Sequence, residues 1–321
     1  MSNYDVLCIG SATIDTFLSI EQPFSSLKSG DKVLVKSSGK YSGGGAANSA
    51  AALSRLGLKV KTLTKLSRDH DADFIKKDLG KYQVENICLS ASREMTDSAT
   101  VVYSIKEKDR VIFVHKGAST DLSRKDFKES QFKCRWIYLA SLTGKSFRAI
   151  PRIVEIARKK NLPLLFNPSL YLARKGKKIL RPILKNTAVL VLNKAEAQAL
   201  AGTSSKDIFW LLKELQGWGP KAVVITDGRK GFAALQNNMI YHTEATPDVK
   251  IIDTTGAGDA FTSGLLFGII KRYPFEDALR LGQVNASSVL QHLGAKNKLL
   301  TEKEAKAMMK KYRIIITKTR V

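Results

Sequence analysis

Cysteine and acidic residues are what this chain of 321 residues has little of. Its three cysteines, Cys8, Cys88 and Cys134, lie far apart with no Cys-x-x-Cys spacing, so neither a disulfide framework nor a thiolate zinc site is indicated. A reducing cytoplasm is the expected compartment. No apolar run reaches the ~18 residues of a membrane span, and the N-terminus lacks the basic-then-apolar layout of a signal peptide. No internal repeat, low-complexity tract or Pro/Ser-rich linker divides the sequence, and one domain over residues 1–321 is the expectation. Asp and Glu number 29 against 53 Lys and Arg, a formal charge of +24. The basic residues form no single block: Lys76-Lys77, Arg158-Lys159-Lys160, Arg174 to Lys178 and Lys310-Lys311 fall on separate helical stretches. No aromatic-interleaved RNA motif accompanies them, so a solvated surface is expected rather than a nucleic-acid partner.

What the chain does have is one dense stretch, Ile251-Ile-Asp-Thr-Thr-Gly-Ala-Gly-Asp-Ala-Phe261, running into the apolar helical pattern Thr262 to Ile270. Gly256 and Gly258 let the backbone turn tightly and approach a ligand, since no Cβ intervenes. The helix that follows leaves its first N–H groups unpaired and carries partial positive charge there. That is an anion hole suited to phosphate oxygens. Asp259 is the unusual member, an acid at the mouth of a site built for negative charge. It is either an N-cap for the helix or a base that takes a proton from an attacking hydroxyl.

The string Asp253-Thr-Thr-Gly-Ala-Gly-Asp-Ala-Phe261 resembles, residue for residue, the C-terminal signature of the ribokinase-like, phosphofructokinase-B-type carbohydrate kinases. The resemblance implies that Asp259 is the catalytic base and that the amides of Gly256, Ala257 and Gly258 form the anion hole. A second stretch, Ser42-Gly-Gly-Gly-Ala-Ala-Asn-Ser-Ala50, is similar to that family's Gly-Gly-x-x-x-Asn signature, which would lay the backbone of Gly44 and Gly45 against a sugar and direct Asn48 to its hydroxyls. Gly45 stands where ribokinases proper usually carry lysine, so the resemblance does not extend to ribose in particular. Archaeal nucleoside kinases of the family also carry Gly-Gly followed by Ala-Ala-Asn.

Short apolar strands at 4–9, 60–66, 136–139, 163–166, 188–192 and 222–226 alternate with helical stretches. That alternation argues for an α/β fold with a central, mostly parallel sheet and helices on both faces. Residues 99–105 and 111–115 read as a hairpin across the charged turn Lys106 to Arg110. In the family, such a hairpin and the segment near 13–40 form a small β lid over the sugar, here about 13–40 and 97–116. Asp69, Asp71 and Asp73 with His70 read as the acid-rich first turn of a helix rather than a metal cluster. Gly144-Lys145-Ser146 lacks the first glycine of a Walker loop, since Leu139 occupies that place. The basic stretch Lys310 to Ile316 carries no readable role.

The resemblance fills in the rest of a site. Asp15 would bind acceptor hydroxyls with Gly44, Gly45, Asn48 and Ser141, while Tyr103, His115 and Lys116 are lid candidates. Asn193 and Glu196, which also spell an ordinary capping box, would serve the nucleotide phosphates and Mg²⁺, Glu196 through water. Thr226, Gly228, Gly231 and Asn285 would line the nucleotide, and Asp253 is placed to help a monovalent cation such as K⁺. Asn167 and Ser169 stand where the family often has Asp-x-Asn. The expected activity is transfer of the ATP γ-phosphate to a hydroxymethyl group of a pentose or hexose, free or already phosphorylated, with a nucleoside as the alternative acceptor. A sensing protein on a kinase scaffold is the non-enzyme alternative, and Asp259 speaks against it because a binder needs no base. A homodimer through the lid is among the assemblies the resemblance allows.

Overall fold

The computed structural model describes residues 4–88, 90–243 and 247–321. Its strands are β1 (Tyr4–Ile9), β2 (Thr13–Ile20), β3 (Val35–Gly43), β4 (Val60–Leu63), β5 (Glu85–Asn86), β6 (Asp97–Ser104), β7 (Asp109–His115), β8 (Cys134–Leu139), β9 (Leu164–Phe166), β10 (Val189–Asn193), β11 (Ala222–Thr226), β12 (Phe232–Gln236), β13 (Met239–Thr243) and β14 (Thr317–Arg320). Its helices are α1 (Gly45–Arg55), α2 (His70–Lys81), α3 (Ile150–Lys159), α4 (Leu170–Ala173), α5 (Gly176–Leu184), α6 (Lys194–Ala201), α7 (Ile208–Gln216), α8 (Ala257–Ile270), α9 (Phe275–Val289) and α10 (Glu302–Tyr312).

One sheet has ten strands in the order β14-β13-β12-β11-β10-β9-β8-β1-β4-β5. Pairing is parallel from β5 to β11, and β12, β13 and β14 continue it antiparallel. The apolar runs of β1 and β8 follow from their position: along β1, Val6 and Cys8 join one core cluster and Leu7 and Ile9 the other. A parallel strand covered on both faces has no reason to alternate with polar residues. The first cluster lies under α1, α2, α8, α9 and α10, the second under α3 to α7. The α/β architecture expected from the alternation is therefore present.

A separate sheet, in the order β3-β2-β6-β7, agrees with the expected lid. It is mixed rather than purely antiparallel, because β2 pairs with β6 in parallel while β2–β3 and β6–β7 are antiparallel. Its strand β3 ends at Gly43, two residues before α1 begins, so the lid runs directly into the second glycine-rich stretch.

Several boundaries differ from the sequence reading. Helix α1 starts at Gly45 rather than near Ala51, because the small residues Ala46 and Ala47 pack as fully buried helix rather than as loop. The acid-rich turn is the start of α2, where the Asp69 side chain caps the helix by accepting from Ala72 N at 2.8 Å. The tail at 310–316 ends α10, and β14 beyond it pairs with β13 at the sheet edge. Two lysines are not solvated: Lys65 and Lys296 are buried, paired with Asp126 and Asp78.

Candidate active site

Strand order in the large sheet reverses around β1, which has β4 on one side and β8 on the other. Open α/β sheets place their ligands at the carboxyl ends of strands beside such a reversal. A cavity of about 650 Å³ lies there. Its lining includes the residues that follow or end successive strands: Ser11 after β1, Ala140 and Ser141 after β8, Asn167 after β9, Asn193 of β10 and Thr226 of β11. Asn193 and Thr226 are register partners on neighbouring strands. Gly45, Glu196, Gly256, Gly258 and Asp259 complete the part that carries chemistry.

Asp259 is the third residue of α8, and the N-cap is Gly256. Its carboxylate does not cap the helix. It accepts a bond from Asn48 Nδ2 at 2.9 Å, across from the first turn of α1. Burial raises its pKa to about 6, and the Asn48 bond opposes that rise. The oxygen of the Asn48 amide, Oδ1, is buried without a partner. A hydroxyl donor entering beside Asp259 would satisfy it, and an unpaired buried acceptor of this kind calls for an explanation.

The turn before α8 is held from behind. Asp253 accepts from Thr255 N and Oγ1 at 3.0 and 2.8 Å through one oxygen, and from Gly294 N at 3.0 Å through the other. Gly256 has φ +77°, and its backbone lies on Ala295. Ala257 N closes the turn on Thr254 O at 3.3 Å. Among the described residues, the amides of Gly258 and Asp259 have no backbone acceptor and remain available to an anion. Of the amides expected at 256–258, that of Ala257 is partly committed to Thr254 O.

Asn193 caps α6 in a capping box with Glu196, by bonds of 2.8 and 2.9 Å. Both residues also line the cavity. Glu196 is pushed up to about 7, chiefly by burial; the Asn193 amide pulls it down and the charge of Asp259 raises it further. A half-buried carboxylate beside a second carboxylate fits a divalent cation held through oxygen ligands. No group of three or more potential His, Cys, Asp or Glu metal ligands occurs among the described residues.

Asp15, on β2, packs against Gly43 and accepts from Thr13 Oγ1 at 2.9 Å; it, Gly44 and Asn48 are not among the cavity-lining residues. Its pKa is raised by burial, against the Thr13 bond and the charges of Lys296 and Lys116, with Asp253 adding to the rise. Gly44 caps α1 with φ +92°, and its backbone touches the Ser11 carbonyl so closely that no side chain fits. Ser141 Oγ donates to Ser169 Oγ at 2.8 Å within the lining.

Some sequence candidates fall elsewhere. Asn285 is fully buried, donating to Ala260 O at 2.8 Å and accepting from Leu300 N, so it ties α9 to α8 and has no face left for a nucleotide. Tyr103 pairs in register with Ser19 and Arg110, six residues along β6 from Asp97. Tyr103 is 40% exposed and is not among the residues that line the cavity. Gly228 and Gly231 shape the β11–β12 turn, next to Thr226 but outside the lining. His115 is exposed at the end of β7, whereas Lys116 beside it lines the cavity and pairs with Asp97 at 3.5 Å. Sequence reasoning missed Ser11, Thr262 and Arg110. Arg110 Nη2 donates to Thr254 Oγ1 at 3.2 Å, a direct bond from β7 to the turn before α8. Position just past a strand's carboxyl end was the available signal for Ser11; Arg110 had none.

A family model described as pfkB family carbohydrate kinase matches residues 3–302. The chain belongs to this family. It is accordingly a phosphotransferase with an alcohol acceptor, a carbohydrate or nucleoside kinase. Among curated relatives, a nucleoside kinase of Methanocaldococcus jannaschii is 24% identical over 312 residues, covering 96% of this chain and 98% of that protein. A ribokinase of Staphylococcus aureus is 27% identical over 298 residues, covering 90% and 94%. Among solved structures, a putative ribokinase II from E. coli, in complex with ATP and Mg²⁺, superposes with a TM-score of 0.83 at 20% identity, covering 96% of this chain and 99% of that one. For this pfkB-family kinase, no helix among the described residues is long and apolar enough to cross a membrane.

Proposed function

We propose that the protein transfers the γ-phosphate of ATP to a hydroxymethyl group of a small sugar, with Asp259 as the base. The observation that carries this is the Asp259–Asn48 pair: a carboxylate raised to about 6, clamped at 2.9 Å, beside open helix amides and an unpaired amide oxygen. Asp15, Gly44 and Asn48 would hold the acceptor so that its primary hydroxyl faces Asp259. The hydroxyl proton passes to the Asp259 carboxylate as the oxygen attacks in line. The amides at the start of α8 take up charge on the transferring group, each such donor typically giving ~3 kcal/mol. When bound, Mg²⁺ neutralises charge on the phosphate oxygens, and Asn193 and Glu196 would hold its outer shell. A monovalent cation beside the same turn belongs to this reading, with Asp253 balancing its charge. Closure of the small sheet would exclude water, and the Arg110–Thr254 bond supports such closure.

A nucleoside is the second reading. Tyr41 stands opposite Asp15 in register and meets Phe17 edge-to-face at 5.6 Å, an aromatic surface next to the acceptor carboxylate that suits a base. A panel of pentoses, hexoses, sugar phosphates and nucleosides scored for ADP release separates the two; ADP release with none of them would sink both. With the acceptor so found, Asp15→Ala is expected to raise the acceptor KM by at least ~10-fold and leave the ATP KM within ~2-fold. Equal changes in both would mark a folding role.

The pH profile gives an independent check. Asp259 must be ionised to act, and its raised pKa places the acid limb of kcat/KM near 6 instead of the usual carboxylate range near 4. Asn48→Ala removes the bond that favours the charged form, so the limb should move to higher pH. A limb that stays in place, or moves down, would remove Asn48 from contact with the base. A homodimer through the small sheet also belongs to the proposal. Ile112, Phe113 and Val114 on β7 are 49, 62 and 58% exposed, and sedimentation of the free protein tests it. Three free cysteines suit a reducing cytoplasm.

A further inference from the structure

Lys296 is 8% exposed in a chain whose lysines, Lys65 apart, mostly cover the surface. Its Nζ lies 2.6 Å from Asp78 Oδ2 on α2 and donates to Ser42 Oγ on β3, while Ser42 Oγ donates to the same Asp78 oxygen at 2.8 Å. Three elements therefore meet on one buried ammonium. Burial lowers the Lys296 pKa, and the charges of Asp78 and then Asp15 hold it up; Lys81 pushes it down. Taking a charge out of water is costly, so this lysine persists where a Met would pack because its two bonds are made.

Both partners lead to the reaction. Ser42 immediately precedes Gly43, whose backbone packs on the Asp15 carboxylate, and Gly44, which starts α1. On the other side, Lys296 sits in the loop that seats the phosphate turn. Gly294 N donates to Asp253, and Ala295 lies under Gly256. The loop is fixed at its back by Tyr82 Oη donating to Lys296 O at 3.3 Å. From Ser42 through Lys296 to Gly256 the packing is continuous, with no solvent-exposed link.

We infer that Lys296 is a positioning residue that couples the acceptor side of the site to the phosphate side. Ordering of the 256–258 turn by a nucleotide fixes the 294–296 loop, and the Lys296–Ser42 bond passes that order to the end of β3 and so to Asp15. The inference rests on the proposed nucleotide site but not on the acceptor's identity or on transfer. Its test needs neither: hydrogen exchange of the full chain with and without the probe AMP-PNP and Mg²⁺. In the wild type, AMP-PNP should slow exchange by ~10-fold both at 253–258 and at 39–45. In Ser42→Ala, which leaves the Lys296–Asp78 pair intact, protection at 253–258 should remain and that at 39–45 should fall below ~2-fold. Ser42→Thr keeps the hydroxyl and should restore it.

Lys296→Met strands Asp78 and can fail to fold, so Lys296→Met paired with Asp78→Leu is the second variant, expected to behave as Ser42→Ala does. A merely structural Lys296 would loosen both segments without AMP-PNP and leave the selective response unchanged, and that result overturns the inference. Protection at 253–258 without any at 39–45 in the wild type also overturns it. No protection at either segment would refute nucleotide binding itself, and the coupling with it; ADP release in the acceptor panel tells the two failures apart.

Discussion

Asp259→Asn is expected to lower turnover by ~10²–10⁴-fold, the usual cost of losing a general base, while the ligand-free protein becomes more stable. The two effects share one cause. In the folded chain the carboxyl's pKa is about 6 against an ordinary 3.8, so the native state holds the proton more tightly than the unfolded chain does. Stability associated with this group is complete below about pH 4 and is lost as pH rises through about 6. Above that range the ionised group costs up to about 3 kcal/mol, less whatever water in the cavity screens. Asparagine keeps the size and an acceptor for Asn48 and removes the charge. Thermal melts should therefore show a higher Tm for the variant at pH 8 and no gain at pH 4, and AMP-PNP should still bind because the α8 amides are untouched. A variant with near-wild-type turnover would overturn the assignment of the base. A variant no more stable at pH 8 would show that Asp259 is solvated in the free protein and that its raised pKa is not a folding cost.

That combination also explains why the motif was legible. The string from Asp253 to Phe261 needs a left-handed glycine, an unobstructed helix start and an acid that caps nothing, and few other sequences satisfy all three. The strands were legible because burial on both faces writes itself as unbroken apolar runs. Other parts were not. Asn285 has the residue type of a ligand, yet a buried amide joining two helices looks the same in one dimension, and only the α8–α9 packing distinguishes them. Tyr103 lies on the expected lid strand but outside the cavity lining, because a strand's alternation says which face a residue takes and nothing about which of those positions a ligand reaches. Lys296 lies in Gly-Ala-Lys-Asn-Lys, a sequence that reads as surface; its burial depends on Asp78 and Ser42, both far away along the chain.

Gly256→Ala should damage both the fold and the phosphate side of the site. At φ +77° and ψ −2° the residue is left-handed, which costs an alanine roughly 1–2 kcal/mol before any neighbour is considered. The new Cβ would then lie 2.4 Å from Ala295 Cβ, 2.6 Å from Ala295 Cα and 2.9 Å from its carbonyl oxygen. Backbone cannot rotate away as a side chain can, so the 294–296 loop must move, and it carries the Gly294 amide that holds Asp253. The turn then loses its anchor and the α8 amides their aim. Misdirecting one such donor costs ~10²–10³-fold, so kcat/KM for ATP should fall at least that far, with a Tm lowered as well. Gly258→Ala is the internal control: beyond its chain neighbours and its own helix backbone nothing lies within 4 Å of its Cβ, its φ is not positive, and alanine favours a helix. It should melt at or above the wild-type temperature. Pairing Gly256→Ala with Ala295→Gly removes the closest clash but leaves the overlap with the backbone of residue 295 and the left-handed strain, so recovery should be partial. Full activity in Gly256→Ala alone would mean that the turn is not held against Ala295 when phosphate is bound, and that the anion hole is assembled in some other way.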